Sequence, residues 1–174
     1  MKDDQRSVAK RDVLAGAVAG VAGGLAASFV MEAFQQMISE LSRKKGDDKK
    51  EEHGDIPANE KAAVAISETV FGHKLTQSGR KEAGEAVHYA MGGVSGLIYG
   101  VASEFSPVPS TAAGLPFGTA VWAIADDVAV PALGLSKPPA EFPVSTHLYA
   151  LSSHLVYGVT TDIVRRGVRK LLAE

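Results

Sequence analysis

Seven ionisable residues interrupt the most apolar parts of this chain: Glu32, Glu85, His88, Asp126, Asp127, His147 and His154. At the centre of a membrane helix such a group costs at least about 2.5–3.5 kcal/mol, so it turns toward protein or water. It marks a place where protons, cations or a metal could be handled. Glu85 and His88 are three residues apart, and a helix turns both to one side. His147 and His154 are seven apart and share a helical face with Gly158. Asp126 and Asp127 are adjacent, and Pro131 lies four residues beyond Asp127. Proline has no N–H, so the Asp127 carbonyl loses its usual helical partner. A free carbonyl beside two carboxylates reads as a cation-binding corner.

Three readings fit these residues. They are hydrated groups near lipid headgroups, or they line a half-channel or a proton- or cation-binding vestibule, or they hold a metal. Glu85-x-x-His88 is one copy of a pair that di-iron bundles use twice. The residue three before His154 is Leu151, so the second copy is missing. No metal ligand set and no cofactor are therefore assigned. Enzyme signatures are also absent: there is no Gly-x-Ser-x-Gly, no phosphate loop and no His-Glu-x-x-His. The chain has no cysteine, which excludes disulfides, thiolate metal sites and a cysteine nucleophile. Ser152, Ser153 and His154 are neighbours without making a triad. Tyr99, Tyr157 and Trp122 read as packing or interfacial anchors. The chain is not expected to be an enzyme.

The elements that position these residues are found where charge is missing. The 174 residues carry 18 Lys+Arg and 20 Asp+Glu, a near balance that argues against a nucleic-acid partner. The charges are clustered. Residues 13–31, 86–103, 105–125 and 142–161 contain no Asp, Glu, Lys or Arg. Each is close to the roughly 20 residues that a membrane-crossing helix needs. The expected fold is all-α: a four-transmembrane-helix bundle in one membrane domain, with a short amphipathic helix in the first loop. The leader covers 1–12, the first span 13–40, a polar loop 41–81 with the amphipathic helix at 57–71, and the other spans 82–104, 111–130 and 145–165. A soluble Gly/Ala-rich bundle competes with this, but it would need charges along a wet face. A cleaved signal peptide also fits the basic start and the first apolar run. The run 43–55 is densely charged and reads as a solvated loop. Phe105–Ser110 is a very short link, which makes the spans on either side of it antiparallel neighbours.

In an up-down-up-down bundle the seven polar residues fall toward one side of the membrane. The spans also carry rows of glycine: Gly16, Gly20 and Gly24; Gly92, Gly96 and Gly100; Gly114 and Gly118. Four-residue spacing puts each row on one side of its helix, where backbones can approach closely. Such rows serve packing within the chain or a homo-oligomer. A faint repeat links the second and fourth spans: Ser95-Gly96-Leu97-Ile98-Tyr99-Gly100-Val101 parallels Ser153-His154-Leu155-Val156-Tyr157-Gly158-Val159. Glu104 and Asp162 follow the two copies. An old duplication and chance similarity explain it equally well.

From the second span onward the chain resembles the YagU-like bacterial inner-membrane proteins, a family of unknown function. The resemblance lies in His88, Tyr99, Glu104 and Pro107, in Gly114, Gly118 and Pro131, and in the Gly134-Leu135-x-x-Pro138-Pro139 turn. It continues through His154-Leu155 and Ile163-x-Arg165-Arg166-x-x-Arg169. It covers about half of the chain, strongest over 88–169. It implies a bacterial inner-membrane bundle and no particular mechanism, so no catalytic residue is carried over. Basic residues abutting the first and last spans favour both termini on the cytoplasmic side. The expected function is that of a small multi-pass protein of the plasma membrane, related to transport or membrane homeostasis, with a proton- or cation-accessible vestibule. The alternative is an assembly protein whose glycine rows dock with a second copy or a larger membrane complex. The lipid bilayer is the expected partner in both cases.

Overall fold

The computed structural model describes residues 2–44 and 56–174, with side chains from Asp12 onward in the first helix. Most of the charged run 43–55 and the leader's side chains before Asp12 lie outside the described residues. Every regular element among the described residues is helical. The order is α1 (Lys2–Lys44), α2 (Ala58–Phe71) and α3 (Gln77–Phe105), then a 3-10 segment (Val108–Gly114) and α4 (Leu115–Ile124). The α4 helix continues through a π turn (Ala125–Ala129) into a last turn at Val130–Ala132. A 3-10 turn (Pro139–Glu141) precedes α5 (Val144–Leu171). The segments Asp12–Lys44 and Val108–Ala132 are long and apolar enough to cross a membrane.

Local chemistry sets the element ends. Thr76 caps α3, its hydroxyl accepting from the Gly79 N–H at 3.2 Å, which supplies one of the orphan donors of a helix start. The α2 helix stops at Gly72 in the left-handed conformation. Pro116 falls in the first turn of α4, where its missing N–H costs nothing. Gly114 has φ +80, and a Cβ there would also meet the Gly158 carbonyl oxygen, so this turn needs glycine for two reasons.

The α1 helix packs antiparallel along both α3 and α5; α4 packs antiparallel on the start of α5, and α2 rests on α3. The expectation that α3 and α4 are neighbours is met through side chains only. The close backbone partner of α4 is α5, and α3 reaches α4 through side chains. The Phe117 ring lies 4.4 Å from that of Tyr99 and 5.9 Å from that of Tyr157. The cause is α1, which occupies the small-residue face of α3 and leaves α4 the matching face of α5.

Those faces are glycine against glycine. A Cβ on Gly20 would strike the Gly96 carbonyl and come within 2.8 Å of the Gly100 Cα; one on Gly24 would strike the Gly92 carbonyl. Gly100 faces the Gly16 carbonyl and the Gly20 Cα. The second pair repeats this register. Gly158 faces the Gly114 carbonyl and the Gly118 Cα, and Gly118 faces the His154 carbonyl. The carboxylates match too: Gly16 makes room for Glu104, and Gly114 for Asp162. Equivalent contacts in both pairs are what a duplicated helix pair would produce. The sequence reading overlooked other glycines at close approaches. Gly23 meets Thr161 of α5, and Gly84 lets Glu60 of α2 sit against α3.

Burial is inverted relative to an ordinary soluble bundle. Buried apolar side chains are few: Ala19, Ala27, Met31, Ala63, Tyr99 and Tyr157. Ser28, Ser153, His154, Thr161, Asp162 and Arg165 are buried with them. Phe29, Met91, Ile98, Phe105, Ile124 and Ile163 are more than half exposed.

A larger residue in a glycine row must push two backbones apart, whereas Gly167 has open space around it. Gly96→Leu should cost more than the about 1–3 kcal/mol typical of overpacking, and Gly167→Ala should be neutral or stabilising by up to about 1 kcal/mol. Thermal melts of the purified variants check both signs.

Candidate functional site

The antiparallel order collects polar side chains at the two ends of the bundle. The end where α1 and α4 finish and α3 and α5 begin holds the seven residues singled out by sequence. They form two groups. Between α1 and α3, Tyr89 donates its hydroxyl proton to Glu32 at 3.1 Å, and Gln36 donates to the same carboxylate at 3.2 Å. His88 packs edge-on to Tyr89, with ring centroids 5.7 Å apart. Glu85 is exposed. Between α4 and α5, His154 Nδ1 lies 3.7 Å from Asp126 Oδ2, and His147 Nδ1 lies 3.6 Å from Asp127 Oδ1. His88 is close enough to Asp126 to act on it electrostatically.

The tautomers follow from the acceptors. A carbonyl only accepts, so the 2.9 Å contact from His154 Nδ1 to the Ala150 carbonyl puts a proton on Nδ1. Its Nε2 is then the basic nitrogen. His147 contacts the Pro139 carbonyl through Nε2 at 3.0 Å, which leaves Nδ1, the nitrogen facing Asp127, as the proton acceptor. Protonation of either ring turns its acid–histidine contact into an ion pair.

A cavity of about 200 Å³ opens beside these pairs, lined by Trp122, Asp126, Asp127, Lys137, Phe142 and His147 among others. Glu32, Glu85, His88 and His154 do not line it. Two features of sequence shape it. The glycine register of the first pair ends here in the second: Trp122 and Ala150 occupy the next turn. Pro131 conflicts with the carbonyl of Asp127 in a regular helix, and α4 widens into a π turn, with the Val130 N–H bonded to the Ala125 carbonyl. The sequence pointed to the lost Asp127 partner; the π turn itself was not foreseen. Such single-turn bulges recur at functional sites, and this one carries both aspartates.

The opposite end holds a network that sequence reasoning missed. Asp162, almost fully buried, accepts from the Tyr99 hydroxyl at 2.5 Å and from Arg166 Nε at 2.8 Å. Glu104 accepts from Arg165 and from Arg169, both at 3.1 Å, and Arg169 also reaches Asp12 at 2.6 Å. The hydrogen bond that Arg166 donates to Asp162 holds its guanidinium above the ordinary value, and the one that Arg169 donates to Glu104 does the same. The available signal was the carboxylate after each copy of the repeat, together with the arginines at i+3, i+4 and i+7 from Asp162. Between the two ends, Tyr99, Phe117 and Tyr157 stack across the interior. Tyr157 donates to the Gly92 carbonyl at 2.7 Å, an acceptor that α3 offers only because no side chain stands there.

Among the described residues no three His, Cys, Asp or Glu side chains come together as a metal-holding group. The fold is thus an all-helical bundle with charge inside and apolar groups outside. Residues 52–163 match the family described as protein of unknown function DUF1440, and the chain belongs to that uncharacterised family. No curated protein and no solved structure matches it.

Tyr99 is a donor to a buried charge, whereas Asp12 is half exposed. Tyr99→Phe should cost about 1–3 kcal/mol, the penalty for an unsatisfied buried group. Asp12→Asn should cost less than about 1 kcal/mol, as for exposed ion pairs. Chemical denaturation in one detergent compares the two.

Proposed function

We propose that this is a small multi-pass protein of the bacterial inner membrane, of the YagU-like kind, in which α1, α3, α4 and α5 cross the bilayer with both termini cytoplasmic. Its work is transport-related or homeostatic, through a proton- or cation-accessible vestibule at one end of the bundle. The observation that carries this reading is the pair of acid–histidine contacts, Asp126–His154 and Asp127–His147, beside an open cavity. Support for four crossings comes from the inverted burial. The α3 and α5 helices expose Met91, Val94, Ile98, Leu148 and Ile163, a surface that lipid would cover and water would not.

The chemistry is proton exchange. Asp126, in the cavity wall, can exchange a proton with the vestibule, and the His154 imidazole, 3.7 Å from it, is the second proton-carrying group behind that wall. The stacked Tyr99, Phe117 and Tyr157 close the path toward the Glu104 and Asp162 end. The arrangement is a half-channel, open on one side. The alternative role in assembly draws less support, because the glycine rows face each other within one chain.

The test is pH-gradient dissipation in liposomes holding the purified protein. Asp126→Asn should slow the dissipation and Phe117→Ala should speed it, with both variants still folded. Equal rates for wild type, both variants and empty liposomes would reject the vestibule. If Gly96→Leu combined with Gly100→Leu abolishes a defined oligomer while flux stays intact, the assembly reading gains instead.

A further inference from the structure

The cavity is too large for its job if only protons use it. A water molecule takes about 30 Å³ of liquid volume, so about 200 Å³ has room for a ligand of several heavy atoms. Its lining is specific. Asp126 and Asp127 supply negative charge from one wall, with side chains 39% and 31% exposed. Trp122 and Phe142 supply aromatic surface, and Val130, Pro139 and Ala150 make much of the rest apolar. Carboxylates framed by aromatic rings recognise organic ammonium ions, through charge and through the ring faces. A small metal ion would want a closer ring of oxygen or nitrogen ligands, and no such group exists among the described residues.

We propose that the cavity binds a small organic ammonium ion, with the cation at Asp126 and Asp127 and its carbon groups against Trp122 and Phe142. This rests on the vestibule reading and names its substrate class. Lys137 lines the same cavity, so its charge opposes a bound cation.

The chain has a single tryptophan, which makes Trp122 a built-in reporter. The experiment titrates the detergent-solubilised full chain with choline and with tetramethylammonium, reading tryptophan fluorescence. Both should give a saturable change. Asp127→Asn should weaken choline binding about tenfold, the loss of one charge-assisted contact. Lys137→Gln should tighten it, a gain that misfolding cannot mimic. No saturable response to choline, or one indifferent to both substitutions, overturns the proposal. If the Asp126-dependent proton leak is nonetheless present in liposomes, only the ligand assignment falls. If the leak is absent too, the vestibule falls with it.

Discussion

Direct contact between helix backbones governs this structure. Gly20 and Gly24 meet Gly92, Gly96 and Gly100 without a side chain between them, and Gly114 and Gly118 meet Gly158 in the same way. In an apolar surrounding, helices gain little from hiding apolar surface, so association depends on close packing and internal hydrogen bonds. The glycine rows supply the first and set up the second. With the helices this close, the Gly92 carbonyl is within reach of Tyr157, Glu104 fits over Gly16, and Asp162 fits beside Gly114. Charge can be buried because the backbone leaves room for it and arginine arrives to neutralise it.

The two helix pairs share a register but not a purpose. In α1 and α3 the glycine contact runs on through Gly24 and Gly92. In α4 and α5 the row ends, His154 stands where α3 has Gly96, and Trp122 and Ala150 line an opening. Pro131 then forces the π turn that carries Asp126 and Asp127. One pair is a continuous scaffold, and the other has the same scaffold interrupted by chemistry. That division explains why, among the described residues, the acid–histidine pairs lie between α4 and α5, while Glu32 finds a tyrosine and a glutamine.

Much of this was legible in the sequence. The absence of charge over four stretches gave the all-helical class, and four-residue spacing identified glycine faces. Alternation of helix direction placed the seven polar residues toward one end. Which residues meet was harder to read. The short link at Phe105–Ser110 suggested that α3 packs on α4, yet chain proximity lost to face complementarity with α1. Glu32 and His88 fell on the expected end but lie between other helices than Asp126 does. The Glu104, Asp162 and arginine network went unread because its residues flank the charge-free stretches, where ion pairs look like ordinary surface charge. Tyr99 and Tyr157 were read as packing groups, since only tertiary structure supplies the acceptors they reach.

In the proposed arrangement, water reaches a polar vestibule between α4 and α5 from one side of the membrane only. The chain lacks cysteine, so a single introduced thiol reports on one position. Ala150→Cys, in the cavity wall, should react with a membrane-impermeant thiol reagent added to one side of oriented vesicles. Ala27→Cys, in the packed core, should react from neither side. An Ala150→Cys thiol that is protected from both sides, or open to both, would overturn the one-sided vestibule.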